Sequence, residues 1–337
     1  MLRYSGPFLF FVSIPAFFYG FGPDGPFATI ILLLLALIGF EIFSPRGDIV
    51  SDSGRSLGFR ALVFTYIPAQ LLLIAWAIGQ SRSIAMPGFL ALVFSVGITT
   101  GVFGMLTAHE AVHSRDPLEG LFGTAMLTGM LYRHFRIAHI HGHHRWAATE
   151  KDSATARLGE GFYHFLLRTV AGQFLEAWRF ERRRCAARGF SFARNRVLRD
   201  LVVMAALLAA TAYFAGGRGL IFFAAQSVVA ITVLELFNYI AHYGLARGLD
   251  SSGRPEALHD GHSWNSSNIL ANGLIFNMGR HSSHHRKPDA PYQNLRHLED
   301  APELPAGYAG SILLALAPPL WRRVMDPQVR RLIAAPA

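Results

Sequence analysis

Cysteine is almost absent from this chain: Cys185 stands alone among 337 residues. An internal disulfide is therefore excluded, and so is a cysteine-ligated iron–sulfur cluster, which needs about four thiolates. Any electrons the protein uses must come from a separate carrier or a bound cofactor. Charge is scarce as well. Only 16% of the residues are Asp, Glu, Lys or Arg, against about a quarter in soluble domains. With 52% hydrophobic residues and a mean hydropathy of +0.30, that shortage points to a membrane protein before any segment is read. Internal repeats and low-complexity tracts are missing, and no polar stretch is large enough to stand as a soluble domain. Residues 1–337 read as one integral-membrane domain.

What is present is a series of apolar runs. Phe8–Phe21, Ala28–Phe43, Phe59–Gly79, Gly88–Ala108, Leu201–Ala215 and Leu220–Tyr239 predict six membrane spans, several near the 20 or so residues a bilayer core requires. The first run follows Arg3 like a secretory leader, but a tight turn at Gly22-Pro23-Asp24-Gly25-Pro26 replaces a cleavage site, so it reads as a retained span. Six spans put both termini on one side. If that side is the cytoplasm, 28 of the 31 Lys and Arg residues fall on it, with only Arg82 and Arg218 opposite and Arg60 at a boundary. Positive charge concentrates inside, which fixes this orientation. The net charge of +9 is explained the same way, and no nucleic-acid motif accompanies it. The stretches Asp116–Met130 and Leu304–Trp321 predict elements lying in the interface.

Fifteen histidines are present, and nine of them stand in four short motifs. His281, His284 and His285 lie at spacing i, i+3, i+4, which a helix would turn onto one face toward a single point. His109 and His113 lie one helical turn apart, His139, His143 and His144 form an HxxxHH pattern, and His242 ends the sixth apolar run. Nine imidazoles exceed what one ion with four to six positions can use, so the inventory predicts two metal ions. The topology brings every motif to the cytoplasmic end of the bundle. The fold expected is therefore all-α, about six transmembrane helices with a cytoplasmic-side helical cap holding a histidine-rich dimetal site. His141 would face away from its neighbours, His134, His164, His259 and His297 read as ordinary histidines, and His262 as a supporting or docking residue. A metal transporter would expect polar ligands at mid-bilayer depth instead. Haem would need far fewer than nine histidines.

The motifs HEAVH, HIHGHH, NYIAHYG and MGRHSSHH, in that order, closely resemble the four histidine boxes of the membrane alkane 1-monooxygenases, which belong with xylene monooxygenases in the membrane fatty-acid-desaturase superfamily. The likeness extends through Ala148–Arg157, His262–Ser266, Pro302–Tyr308 and Pro318–Pro327, and covers roughly residues 30–328. It implies that His109, His113, His139, His143, His144, His242, His281, His284 and His285 hold two non-haem iron ions. Spacing alone leaves zinc, copper and nickel open. It also implies O2 and two electrons from a rubredoxin-type carrier fed by an NAD(P)H-dependent reductase, one oxygen atom inserted into an unactivated C–H bond of a hydrophobic substrate such as an alkane or alkyl-aromatic, and a bacterial inner-membrane location. Glu110, Asn238 and Asp152 are the candidates to support the ligands. A fatty acyl or terpenoid desaturase or hydroxylase shares the first hydrogen abstraction and stays open. The chain departs from the family at Ala138 and Ala241, where Glu is usual, at Ser283, where Asp is common, and at Gly279, where Gln is common.

Overall fold

Long runs of Leu, Ile, Val, Phe and Ala leave the backbone no aqueous partner, so each run satisfies its own hydrogen bonds as a helix. The computed structural model describes residues 1–48 and 56–334, and among these there is no strand, only isolated bridges. Two short apolar helices open the chain, α1 (Gly6–Phe21) and α2 (Phe27–Phe43). The expected turn joins them: a Cβ on Gly25 would fall 2.2 Å from the carbonyl oxygen of Phe17, so no side chain fits there. Next come α3 (Leu57–Gln80) and α4 (Met86–His113), of 24 and 28 residues. At 1.5 Å per residue these are about 36 and 42 Å long, enough to cross a bilayer.

α5 (Pro117–Gly129) starts at Asp116, whose carboxylate accepts from the Leu118 N–H and caps the helix. α6 covers residues 135–146, and α7 (Phe162–Ala187) is a polar helix that buries Phe162, Phe165, Thr169, Gln173, Ala177, Glu181 and Cys185 along one stripe. α8 (Arg196–His242) runs for 47 residues. The expected fifth and sixth spans are its two halves. They are not separated by a loop but meet at Gly216, whose φ of 68° and ψ of −173° break the helix at one residue. Only glycine takes that conformation without strain. Arg218 then donates to the carbonyls of Ser81 and Ile84 at 3.1 and 2.6 Å, tying the bend to the turn between α3 and α4.

Among the described residues three helices, α3, α4 and α8, are thus long and apolar enough to cross a membrane, and α1 and α2 are shorter apolar helices. Outward-facing Ile31, Leu35, Leu72, Tyr213, Phe214, Ile221 and Val228 stay exposed on them, as lipid-facing side chains would. The remainder folds under the bundle as α9 (Ile269–Leu274), α10 (His281–Arg286), α11 (Gly307–Ala315) and α12 (Pro318–Ala334). Leu304–Trp321, expected as one interfacial element, is divided between α11 and α12.

α10 has only six residues and is held by its surroundings. Asn265 donates to Ser282 Oγ at 2.8 Å and accepts from the Ser282 N–H at 2.9 Å. Arg280, just before α10, is buried, pairs with Asp48 at 2.9 Å and donates to the carbonyl of Leu295 at 2.7 Å.

Candidate metal centre

The four motifs meet where α4 and α8 end. α4 brings His109 and His113, α6 brings His139, His143 and His144, the last residue of α8 is His242, and α10 brings His281, His284 and His285. The nine rings fall into two groups, His109, His113, His139, His144 and His284 in one and His143, His242, His281 and His285 in the other. In each group the ligating atoms lie within 4.8 Å of one another. The closest approaches are between Nε2 atoms: 2.8 Å for His109–His139, 3.0 Å for His113–His139 and for His139–His144, and 3.2 Å for His144–His284. In the four-ring group they are 3.0 Å for His242–His281, 3.1 Å for His281–His285 and 3.2 Å for His143–His285.

The spacing expectation fails in one instructive way. His281, His284 and His285 do not converge on one point: His284 joins the five-ring group and the other two the four-ring group. His143 and His144 part in the same manner. Adjacent residues of a helix point about 100° apart, so each histidine pair straddles the two groups. The HxxxHH motif also departs from α-geometry. Residues His139–His143 form a π-turn, with the His144 N–H bonded to the carbonyl of His139. That wider turn aligns His139 with His144, five residues on, and leaves His143 for the other group. π-turns recur at functional sites, and α4 carries a second one at Thr100–Gly104.

Neutral imidazoles cannot hold such a cluster together by hydrogen bonds. His139 Nε2 faces three other Nε2 atoms, and one N–H cannot serve three acceptors. Lone pairs aimed at a common point about 3 Å from one another match ligands at right angles around an ion some 2.1 Å away. Burial, reinforced by the neighbouring rings, pushes His139, His144, His281, His284 and His285 well below the ordinary histidine range, so they stay neutral. The remote nitrogens agree. His143 Nδ1 donates to Asp152 Oδ2 at 2.9 Å and His242 Nδ1 to the carbonyl of His262 at 3.2 Å, which leaves each Nε2 with its lone pair free. The donor set fits an ion in each group.

A third assembly, Glu256, His259 and His262, lies near the surface and is wired the opposite way. His259 Nδ1 accepts from the Gly261 N–H and His262 Nδ1 from the His259 N–H, both at 3.1 Å. In the neutral rings Nε2 then carries the proton, and His262 Nε2 lies 3.2 Å from Glu256 Oε1. This group is a hydrogen-bonded support behind His242, reached through the backbone carbonyl of His262.

Of the three supporting candidates, Asp152 lies against a ring of the group and is itself fixed by the Thr155 hydroxyl at 2.7 Å. Asn238 donates to Glu235 at 3.0 Å. Glu235 is fully buried and also accepts from Tyr132, Thr169 and Gln173, so it is an anchored carboxylate. Glu110 belongs to neither group; its carboxylate accepts from the Tyr292 N–H at 3.3 Å and lines a small pocket with Arg60 and Glu119. His141 faces outward and stacks on Phe180 at 4.2 Å.

A narrow apolar cavity of about 40 Å³ reaches both groups. His109, His139 and His281 line it together with Met105, Phe135, Leu234, Phe237 and Ala241. Ala241 therefore keeps this wall apolar where the family's Glu would charge it. Ala138 is buried in a separate apolar cluster with Ile137, Ala177 and Val197. At Gly279, any Cβ would meet Asn272 Oδ1 at 2.5 Å, so a side chain there needs Asn272 to move.

Comparison with known proteins adds an independent line. A family model described as fatty acid desaturase matches residues 85–312. Alkane 1-monooxygenase 1 of Pseudomonas aeruginosa is 36% identical over 318 residues, covering 93% of this chain and 81% of the relative. Alkane 1-monooxygenase of Pseudomonas putida is 35% identical over 327 residues, covering 95% and 78%. The xylene/toluene monooxygenase hydroxylase component XylM of Pseudomonas putida is 30% identical over 244 residues, covering 71% and 64%.

Proposed function

The chain belongs to the fatty acid desaturase family and is an oxidoreductase akin to the alkane 1-monooxygenases; on that premise we propose that it is a membrane non-haem di-iron monooxygenase that hydroxylates an unactivated C–H bond of an alkane or alkyl-aromatic. The observation that carries this reading is the pair of histidine groups, five rings and four, opening on one apolar cavity. His109, His113, His139, His144 and His284 would hold one iron and His143, His242, His281 and His285 the other. When bound, the two irons supply O2 reduction by two electrons and transfer of one oxygen atom to carbon, the second oxygen leaving as water.

The chain's own residues do the rest. Met105, Leu106, Phe135, Leu234 and Phe237 exclude water and guide an alkyl chain end-on toward His109 and His281. Asp152 holds the ring of His143 by its Nδ1–H and offsets part of the metal charge. Six spans with both termini cytoplasmic, a bacterial inner-membrane location and a rubredoxin-type electron carrier with its NAD(P)H-dependent reductase complete the proposal. Arginine-rich segments on the same side as the histidines support docking of an acidic carrier.

The test is to supply 18O2 to cells expressing the protein, with a panel of n-alkanes, xylenes and fatty acids. An 18O-labelled alcohol is the expected product. An alkene without label would replace hydroxylation by desaturation, and no turnover of any apolar substrate would sink the reading.

A further inference from the structure

The histidines occupy only the inner side of α6. Its outer side, with Ile137, Ile140 and His141, forms one wall of a cavity of about 590 Å³ that also touches the end of α4, α5 and the first residue of α8. Four arginines line it, Arg115, Arg133, Arg136 and Arg196, against a single carboxylate, Asp116. Asp116 is already paired with Arg60 at 2.9 Å. Three of the four arginines have carboxylate partners: Arg115 with Asp289, Arg133 with Asp200 and Arg196 with Glu181. Among the described residues Arg136 has none; its one hydrogen bond there is to Thr124 Oγ1 at 3.4 Å, and burial pulls its pKa below the usual arginine value. A half-buried guanidinium facing a cavity this size lacks an anion.

Position narrows what the anion is. α4 ends at His113 and α8 begins at Arg196, so the cavity lies at the level where apolar spans stop and headgroups begin. Beside it, Leu118 and Leu121 stand 56% and 63% exposed one turn apart on α5. A phosphate among the arginines with acyl chains along these side chains would satisfy both features. An acidic soluble protein would leave the leucines in water.

We propose that this cavity binds the phosphate headgroup of an anionic phospholipid, which braces the outer face of the helix carrying His139, His143 and His144. The chemistry is bidentate recognition of phosphate by guanidinium. It requires only that the protein sits in a membrane, so it stands or falls separately from the oxygenase reading.

The full-length protein is reconstituted in nanodiscs of equimolar phosphatidylcholine and phosphatidylglycerol, extracted in detergent, and its retained lipid identified by mass spectrometry. Wild type should keep about one phosphatidylglycerol per chain, and Arg136→Gln should lower that retention about fivefold, the worth of one lost arginine at a headgroup. Arg136→Lys should recover part of it. Arg115→Gln, on the exposed rim, should lower it less and serves if Arg136→Gln does not fold. Inorganic phosphate should not displace the lipid. Equal retention by wild type and both Gln variants, preference for neutral lipid, or displacement by free phosphate would each overturn the proposal. So would protection of the arginines only by an acidic carrier protein.

Discussion

The five-ring and four-ring groups share two helices yet are supported differently. In the four-ring group, His143 leans on a buried carboxylate and His242 on a backbone carbonyl. In the five-ring group, the Nδ1 atoms of His109 and His144 are buried without a hydrogen-bond partner among the described residues, and in the four-ring group only that of His285 is. One group has an extra imidazole and the other has two of its four imidazoles fixed from behind. Number of donors and stiffness of donors are two routes to the same end, because an oriented ligand loses less freedom on binding.

The largest effects test whether the groups are separate sites. His284→Ala and His285→Ala alter neighbouring residues but should empty different sites, each cutting hydroxylation more than about a hundredfold, beyond what loss of a supporting residue costs. Iron per chain and Mössbauer spectra check this. Identical spectral losses in both variants would collapse the distinction. Next in size is Asp152→Asn, which should weaken metal binding at the four-ring group by about 10–100-fold and spare the other. Equal loss from both groups in a metal titration would show that Asp152 acts on the whole centre.

Acid should separate the groups more gently. Burial, then the neighbouring rings, lowers the pKa of His139, His144, His281, His284 and His285. Depressed folded-state values mean that the rings contribute stability in full above the unfolded value of about 6.5, and lose it as pH falls from there toward the folded values. Iron retention should therefore hold above about pH 6.5 and decline below it, first from the four-ring group, where the buried Asp152 carboxylate favours a charged imidazolium beside it. The smallest effect is expected of Gly101→Ala. Its Cβ would sit 2.7 Å from the Ala230 carbonyl oxygen, inside the π-turn of α4. A cost of about 1–3 kcal/mol in thermal unfolding should follow, with iron loss confined to the group that His109 and His113 serve.

The nine histidines were legible because i, i+3 and i+4 patterns and a resemblance of four motifs need no three-dimensional information. Their division was not. Whether His143 sides with His139 or with His285 depends on a π-turn, and nothing in the letters HIHGHH announces an i+5 bond. Asp152 was legible as a neighbour of the second motif, whereas Glu110 looked equally good beside His109 and points elsewhere. Adjacent residues on a helix cannot serve one face, and that rule outweighed proximity in the chain. The apolar runs located α1 to α4, but the join inside α8 rests on one glycine torsion, which composition cannot report. The Glu235 network gathers Tyr132, Thr169, Gln173 and Asn238 from three distant stretches and had no signal in sequence.

A π-turn holds one residue more than the α-turn it replaces. Deleting a single codon here, that of Ile140 for instance, would let an α-turn take its place with little rotation of the helix beyond, and His144 would still line up with His139, four residues on as His285 is from His281. The turn thus absorbs a change of length that an ordinary coil would pass on as rotation. Among descendants of this protein, loss of one residue should therefore be tolerated inside this turn and not beside it.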